Sequence, residues 1–384
     1  MAMVVVGGGL AGASAVEELR EQGYDGDVVL LGAERHLPYH RPPLSKEVLL
    51  GTEAADSTDV HDAQWYADRH VEVRTATPAR RIDRRRRVLE TEAGAVPYER
   101  LLLATGSEPR RLAVAGAVHL RTRDDARALR AALLERPRLL VVGGGWIGLE
   151  VTAAARAAGC EVTVLEPQAQ PLLGVLGERV GAAFADLHRD HGVDLRLGTA
   201  YDGQEADLVL VAVGAVPRVD LAADAGLEVD NGVLVDATLR SSDPLVLAAG
   251  DIAAHDHPTL GRLRVEHWDN AIEQGRAAAR VMLGGSEPYD RTPYFFTDQY
   301  DLGAEYVGHV PREHRDDVVV LGALAARQAV VLWHDGAGRV LGGLHLNEWD
   351  AVDDLRALVG RTVDPALLVD SPEVDLAQLV RRTR

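Results

Sequence analysis

The sequence predicts an α/β protein with two units of parallel strands and helices, followed by a third domain with its own sheet. A Gly-x-Gly-x-x-Gly loop after an apolar run occurs at residues 4–12 and recurs at 140–148, displaced by 136 residues. Each copy precedes a helix-compatible stretch and then a second apolar run, the order typical of βαβ units. After Pro293 the pattern changes to short alternating runs, such as 317–321 and 329–333, which indicates a separate sheet domain.

The individual elements follow in chain order. The two glycine loops lead into predicted helices at 13–22 and 149–158 and second strands at 28–31 and 162–165. An arginine-rich hairpin turn is expected near 82–87, with its arginines in solvent. Further buried strands are predicted within 100–106, 208–217 and 246–251, and an amphipathic helix over 270–283 that Gly284 and Gly285 end.

Composition excludes several classes of function. A chain of 384 residues with 47% apolar and 26% charged residues is typical of a globular protein with more than one core. No stretch approaches the ~18 apolar residues of a membrane span, and the first residues lack the features of a secretory signal, so a cytoplasmic location is expected. The net charge of −18 argues against nucleic-acid and membrane partners.

Two rare residues constrain the chemistry. Cys160 is the only cysteine, so the chain forms no internal disulfide, no CxxC redox pair and no cysteine-ligated iron–sulfur cluster. Lys46 is the only lysine among 41 basic residues, which makes its position a candidate for function. The high number of arginines, and with it the scarcity of lysine, is also explained by genomic base composition. The compact run 255–257 (His-Asp-His) is predicted to lie on a loop, and no metal site is expected there.

The two glycine loops indicate dinucleotide binding. The first glycine of each loop permits a tight turn, the second lets the backbone approach a pyrophosphate, and the third lets the helix sit close to the strand. An acid follows each second strand, where it would accept hydrogen bonds from ribose hydroxyls: Glu34 in the first copy and Glu166 in the second. We therefore expect the chain to bind two dinucleotides.

The run from Glu34 to Lys46, which ends PYHRPPLSK, resembles the signature of FAD-dependent ferredoxin reductases of the putidaredoxin-reductase and rubredoxin-reductase type. Residues 104–106, 143–150, 249–251 and 293–300 also match, in family order. The resemblance implies a glutathione-reductase-like fold. It places an FAD-binding domain in 1–110 and 223–293, an NAD-binding domain in 111–222 and a C-terminal α+β domain in 294–384.

The resemblance also implies cofactor-binding residues. Those expected to bind FAD are Gly7, Gly9, Leu10, Ala11, Gly12, Glu34, Arg35, Arg41, Lys46, Ala79, Ala104, Thr105, Gly106, Asp251, Glu266, His267, Trp268 and Phe296. Those expected to bind NAD(H) are Gly143, Gly145, Ile147, Gly148, Glu166 and Gly214. A carboxylate at Glu166 would repel the extra phosphate of NADPH. The chain departs from the family at Phe296, where tryptophan is frequent.

Lys46 and Glu150 are the expected catalytic pair, although a purely structural ion pair would explain the same residues. The implied activity is hydride transfer from NADH to FAD, then single-electron transfer to a [2Fe–2S] ferredoxin that feeds an oxygenase or a cytochrome P450. The chain would act as a monomer or homodimer. Two alternatives stay open at this point: an NADH diaphorase or quinone reductase, and an NADH-sensing flavoprotein of the apoptosis-inducing-factor type.

Overall fold

The computed structural model describes residues 1–373 and 375–383. The chain forms two compact units, each assembled from three segments. The first unit comprises Met1–Pro42, Asp56–Glu108 and Ala215–Arg291. The second comprises Pro43–Ala55, Pro109–Gly214 and Thr292–Arg384. The domain boundaries expected from the sequence, at 110, 222 and 293, stay predictions.

Strands occur in both units and are numbered in chain order. They are β1 (Ala2–Val6), β2 (Val28–Leu31), β3 (Val71–Arg74), β4 (Ala79–Asp83), β5 (Val88–Thr91), β6 (Gly94–Leu103), β7 (Ser107–Pro109), β8 (Arg138–Val142), β9 (Glu161–Glu166), β10 (Asp194–Leu197), β11 (Leu208–Val211), β12 (Ala215–Pro217), β13 (Val229–Asp230), β14 (Gly232–Val235), β15 (Val246–Ala248), β16 (Ala253–His257), β17 (Gly261–Leu263), β18 (Tyr294–Gln299), β19 (Leu302–Gly308), β20 (Val318–Ala323), β21 (Gln328–His334) and β22 (Val340–Leu346).

The α-helices are fewer than the strands and are numbered in the same way. They are α1 (Leu10–Glu21), α2 (Glu47–Leu50), α3 (Ala63–Asp68), α4 (Arg123–Leu134), α5 (Trp146–Ala157), α6 (Leu173–Asp190), α7 (Asp220–Asp224), α8 (Trp268–Met282), α9 (Val352–Leu358) and α10 (Leu376–Arg381). No helix in the described part of the chain is long and apolar enough to cross a membrane.

The first unit is built on a sheet in the order β3-β2-β1-β6, with β15 also paired to β6. These pairings are all parallel, whereas β5 and β4 extend the sheet as an antiparallel hairpin. The central strands are buried on both faces, as their apolar runs predict. Helices α1 and α8 pack closely, because a Cβ at Gly275 would lie 2.4 Å from the carbonyl oxygen of Ala11.

The second unit contains two sheets. The parallel sheet has the order β10-β9-β8-β11, and the antiparallel sheet has the order β18-β19-β22-β21-β20. One apolar core joins side chains from α5, α6 and the antiparallel sheet, including Leu149, Phe184, Phe295 and Trp333. Helix α5 and strand β18 are therefore held firmly against each other within this unit.

The structure changes several predicted boundaries. Helices α1 and α5 each begin three residues earlier than predicted, at Leu10 and Trp146, because an extended glycine precedes each first turn. Helix α8 begins at Trp268 rather than at residue 270. The predicted hairpin is present as β4 and β5, but Arg84 is not simply in solvent, since its Nε lies 2.7 Å from a carboxylate oxygen of Asp243.

Candidate functional site

The first glycine loop joins β1 to α1 in the first unit. Gly7 has φ = +131°, and a Cβ there would lie 2.0 Å from the carbonyl oxygen of Ala104. A Cβ at Gly12 would lie 2.1 Å from the carbonyl oxygen of Gly7, so α1 approaches the loop as closely as backbones allow. Apart from Gly9 itself and its two neighbours in the chain, no atom of the described residues lies within 4 Å of a Cβ placed at Gly9. The middle glycine thus faces open space at the start of a helix.

The second glycine loop, between β8 and α5, repeats this geometry in the second unit. Gly143 has φ = +110°, and its Cβ would lie 2.4 Å from the carbonyl oxygen of Ala212. At Gly148 the Cβ would lie 2.2 Å from the carbonyl oxygen of Gly143. At Gly145 the nearest described atom outside its chain neighbours is the carbonyl oxygen of Ala212, 4.0 Å from the Cβ position. Both loops therefore present an open backbone and a helix N-terminus, which suit a pyrophosphate.

A turn after the neighbouring strand closes each loop. Residues Ala104, Thr105 and Gly106 follow β6, and Gly106 has φ = +66°. In the second unit Gly214, with φ = +94°, ends the corresponding turn after β11. Ala104 and Thr105 lie beside Gly7, and Gly214 follows residues 212 and 213, which lie beside Gly143, because the carboxyl ends of parallel strands meet at one sheet edge.

Glu34 follows β2 at that edge of the first unit. Its carboxylate pairs with Arg41 Nη2 at 2.8 Å and accepts a hydrogen bond from the Tyr39 hydroxyl at 2.5 Å. Burial opposes ionisation of Glu34, but the charge of Arg41 and the bond from Tyr39 hold its pKa below the usual value. Arg41 is likewise desolvated, yet Tyr39 and Glu34 raise its pKa. The carboxylate is thus ionised and available as an acceptor.

Glu166 ends β9 in the second unit and is 6% exposed. One carboxylate oxygen accepts from the backbone N–H of Gly144 at 2.7 Å, and the other accepts from that of Gln168 at 2.9 Å. Each oxygen keeps capacity for a further donor. Glu166 therefore ties down the glycine loop besides presenting a negative charge at its edge.

Two further segments of the first unit carry predicted residues. Asp251 follows β15 and accepts a hydrogen bond from the Ser107 hydroxyl at 2.8 Å. His267 is the residue that precedes α8, and Trp268 donates from its indole N–H to His40 at 3.0 Å. Burial lowers the pKa of His267 to about 4, so the residue that precedes α8 carries no charge at neutral pH. Glu266 pairs with Arg264.

The buried ion pair in the second unit involves Lys46 and Glu150. Lys46 Nζ lies 2.9 Å from Glu150 Oε1, and the two side chains are 8% and 5% exposed. The Ser45 hydroxyl donates to Glu150 Oε2 at 2.5 Å, and the Thr297 hydroxyl donates to Oε1 at 2.7 Å. The ammonium also lies 5.5 Å from the centre of the Phe296 ring, within cation–π range.

The remaining predicted residues lie in the first turns of α1 and α5, on a turn and at the start of a strand. Leu10 and Ala11 form the first turn of α1, and Ile147, 43% exposed, lies in the first turn of α5. Arg35 is exposed on the turn after Glu34, and Ala79 begins β4. The residues predicted to bind FAD lie in the first unit, except Lys46 and Phe296, which lie in the second. The residues predicted to bind NAD(H) all lie in the second unit.

The sequence pattern of the pyridine nucleotide-disulphide oxidoreductases matches residues 1–275. The chain belongs to this family.

The chain is also similar to proteins that are named as ferredoxin or putidaredoxin reductases. The chain is 39% identical to a ferredoxin–NAD(+) reductase component of an anthranilate 1,2-dioxygenase system from Burkholderia cepacia, over 97% of this chain and 98% of the relative. It is 37% identical to putidaredoxin reductase from Pseudomonas putida, over 87% and 86%. Among solved structures, a covalent putidaredoxin reductase–putidaredoxin complex superposes with a TM-score of 0.93, at 35% identity, over 99% and 98%.

The two loops fit the FAD and NAD(H) that this family uses. A carboxylate lies at the edge of each loop. The middle glycines leave room for a phosphate, and a Cβ at either position would reduce that room. Within the described residues, no group of three or more histidine, cysteine or acidic side chains could hold a metal ion. The open backbone and the neighbouring carboxylate of each loop suit a dinucleotide.

A disulfide is not available for the chemistry of this family member. Cys160 is fully buried in the second unit, with its sulfur 3.5 Å from the carbonyl oxygen of Leu133. Burial raises the pKa of this thiol, so it is protonated and unreactive at neutral pH.

Sequence reasoning missed the partners of the candidate residues. Tyr39, Ser45 and Thr297 all donate hydrogen bonds to carboxylates of the predicted site, yet none of the three is among the predicted site residues. A signal was present for Thr297. Thr297 alternates with Phe295 on β18, which places its hydroxyl on the buried face, and a buried hydroxyl needs a partner.

Proposed function

We propose that this chain is an FAD-dependent NADH:ferredoxin oxidoreductase. It takes hydride from NADH and passes single electrons to a [2Fe–2S] ferredoxin that serves an oxygenase or a cytochrome P450. The observation that carries the proposal is the combination of two dinucleotide cradles with one buried, protonated cysteine. A flavoprotein of this family without a thiol pair must deliver its electrons to an external acceptor. The dioxygenase and P450 relatives support a ferredoxin in that role.

The first glycine loop, with Glu34, would hold the pyrophosphate and ribose of FAD, and the second loop, with Glu166, those of NAD(H). When bound, FAD would supply the chemistry that accepts two electrons as a hydride and releases them one at a time. The chain's own residues bind and orient the two dinucleotides. The N–H groups at the start of α1 and α5 direct partial positive charge towards phosphate.

We propose that Lys46 and Glu150 orient the bound NADH and FAD for hydride transfer. The pair is desolvated, so its field is stronger than that of a surface pair. Three hydrogen-bonding or ionic contacts hold the Glu150 carboxylate, which leaves the ammonium one favoured position. An arginine could not occupy that position, because its planar fork is wider than an ammonium.

The partner is a [2Fe–2S] ferredoxin, and we propose a cytoplasmic location and a monomer or homodimer as the working form. The net charge of −18 opposes encounter with an acidic ferredoxin. Docking therefore depends on a local cluster of arginines, whose attraction is screened beyond ~8 Å at physiological salt.

Stopped-flow measurements with purified protein, NADH and oxidised [2Fe–2S] ferredoxin test the function. We expect rapid flavin reduction by NADH at any salt concentration, followed by a ferredoxin step that slows as ionic strength rises. A long-lived reduced complex that reduces no ferredoxin would favour an NADH sensor. Rapid turnover with quinones but not with ferredoxins would favour a diaphorase.

The Cys160→Ser variant tests the acceptor chemistry directly. Because Cys160 is buried and protonated, both NADH oxidation and ferredoxin reduction should keep their wild-type rates. Loss of acceptor turnover with normal hydride uptake would replace the one-electron scheme with a thiol mechanism.

A further inference from the structure

A line of buried polar side chains leads away from Glu150 within the second unit. Gln299 Nε2 lies 3.2 Å from Thr297 Oγ1, and Gln299 Oε1 lies 2.9 Å from His188 Nε2. Thr297, Gln299 and His188 are at most 2% exposed. With the 2.7 Å bond from Thr297 to Glu150, these contacts connect the ion pair to α6. The glutamine and histidine have no part in the function proposed so far.

The direction of every hydrogen bond in this line is determined. An ionised Glu150 only accepts, so the Thr297 hydroxyl must donate to it and must itself accept from an amide N–H of Gln299. The Gln299 carbonyl then faces His188, whose Nε2 must carry the hydrogen. His188 Nδ1 is left to accept from the Tyr300 hydroxyl, 3.2 Å away.

The state of the histidine agrees with this arrangement. Burial is the largest influence on His188 and lowers its pKa to about 4, although the contact with Gln299 acts in the opposite direction. The imidazole is therefore neutral at physiological pH and holds one tautomer. The Tyr300 ring stacks on His191 with centroids 3.7 Å apart, which fixes the last donor of the line.

We propose that Thr297, Gln299 and His188 are positioning residues that orient Glu150 and, through it, the ammonium of Lys46. This proposal rests on the function proposed above. Each donor points towards Glu150, so the line favours one rotamer of the carboxylate and reinforces its charge through successive dipoles. Without the line, Oε1 would keep only Lys46 as a donor, and the pair would sample several geometries.

The line orients and does not conduct protons. An amide passes a proton on only by forming an imidic acid, which is unfavourable, so Gln299 interrupts any relay between His188 and Thr297. A positioning role also accounts for the burial of all three side chains. A loosely held glutamate would place the ammonium imprecisely, and small displacements of an orienting group slow reactions strongly.

The single lysine provides a direct measurement. In the FAD-loaded full-length protein, ¹³C-labelled lysine gives NMR signals from Lys46 alone. We expect a fixed ammonium in the wild type, seen as two inequivalent Hε protons on one ¹³Cε signal. The Thr297→Val and Gln299→Met variants, which remove polar atoms but keep volume, should shift this signal in the same direction and bring the Hε protons together. Thr297→Ser, which keeps the hydroxyl, should restore the wild-type signal.

A double variant tests whether Gln299 acts through Thr297. Thr297→Val/Gln299→Met should change the Lys46 signal no more than Thr297→Val alone, because the hydroxyl that connects the two is already missing. Gln328→Met, an exposed glutamine on the same sheet, is the matched control and should change nothing. An unchanged Lys46 signal in Gln299→Met, or additive effects in the double variant, would overturn the proposal.

A kinetic readout accompanies the spectra. In Gln299→Met we expect the rate constant of flavin reduction to fall about tenfold, with the Kd of NADH changed less than about twofold. If Gln299→Met does not fold, His188→Phe removes the Nε2 donor at similar volume and should shift the Lys46 signal in the same way. The NMR samples contain no ferredoxin, so the positioning test does not depend on the acceptor. Failure of the protein to reduce any ferredoxin would contradict the proposed function without changing the outcome of the positioning test.

Discussion

Lys46 and Glu150 show how much one buried pair depends on its neighbours. Desolvation of two charges costs several kcal/mol, and the attraction between them offsets it only where further hydrogen bonds complete the site. Here Ser45 and Thr297 supply those bonds. Removal of one partner leaves the other charge buried, so a single substitution combines a loss of stability with a loss of orientation.

The Lys46→Met variant should separate these two effects. We expect flavin reduction by NADH to slow at least about tenfold, and stability to fall by about 3 kcal/mol because Glu150 is left unpaired. FAD retention should change little. The double variant Lys46→Met/Glu150→Gln should recover the stability but not the rate, as measured by urea unfolding and stopped-flow absorbance. Near-normal hydride transfer in Lys46→Arg would refute the catalytic assignment.

We predict that Glu166 determines the preference for NADH or NADPH through its charge. We expect NADH to be preferred over NADPH, and Glu166→Gln to narrow the ratio of kcat/KM values about tenfold, since one lost repulsion of about 1.4 kcal/mol is tenfold. The glutamine keeps an acceptor for Gly144 N–H, whereas arginine at this position would also release the loop. Ferricyanide reduction with both nucleotides measures the ratio. Equal use of both by the wild type would argue against this placement of the second nucleotide.

At the scale of elements, we expect each βαβ unit to use two of its three glycines for folding and the middle one for binding. The first and third glycines are required by the backbone contacts described above, whereas the middle one is extended and open. Gly145 has φ = −84° and ψ = −178°, which any residue adopts without strain. A substitution there should therefore act on the ligand and not on the fold.

Gly145→Ala and Gly148→Ala form a matched pair within α5 and its cap. We expect Gly145→Ala to keep the wild-type Tm while the Kd of NADH rises at least about tenfold, because the added methyl group occupies the space left for phosphate. Gly148→Ala should cost about 1–3 kcal/mol, since its Cβ meets the carbonyl of Gly143. Calorimetry and NADH titration measure both. A lowered Tm in Gly145→Ala would contradict this division.

Local patterns predicted most elements well, and long-range contacts account for what they missed. Strand β2 covers residues 28–31 as predicted, because a run of four β-branched and leucine residues between turns determines it locally. The contacts of Glu150 with Ser45 and Thr297 join residues 105 and 147 positions apart. Periodicity carries no information at that distance. The alternation of Thr297 and Gln299 on β18 predicts a shared face, but not the glutamate and histidine that they meet.

At the scale of the whole molecule, both units should weaken in mild acid. His188 in the second unit and His255 in the first are at most 1% exposed, and burial lowers the pKa of each from 6.5 to about 4. The unfolded chain therefore binds protons that the folded chain excludes between these pH values. The contribution of these two histidines to the free energy of unfolding is complete above pH 6.5 and is lost as the pH falls towards 4.

This loss can be measured by thermal unfolding at pH 7.5, 6.0 and 5.0. At pH 5 each histidine should account for about 2 kcal/mol, since one pKa unit corresponds to about 1.4 kcal/mol. His255→Phe should reduce the pH dependence of the first unit, and His188→Gln that of the second. A Tm that does not change between pH 7.5 and 5.0 would contradict the assignment of both histidines as neutral in the folded state.

The burial of the only lysine has a consequence for proteolysis. An endoproteinase specific for lysine has one peptide bond to cut in this chain, after Lys46, and the side chain that it must recognise is 8% exposed and held by Glu150. Cleavage therefore requires the segment Pro43–Leu50 to open, and the rate at which the two fragments appear reports that opening. The native protein thus contains its own probe of local unfolding at the ion pair, readable on a gel without any label.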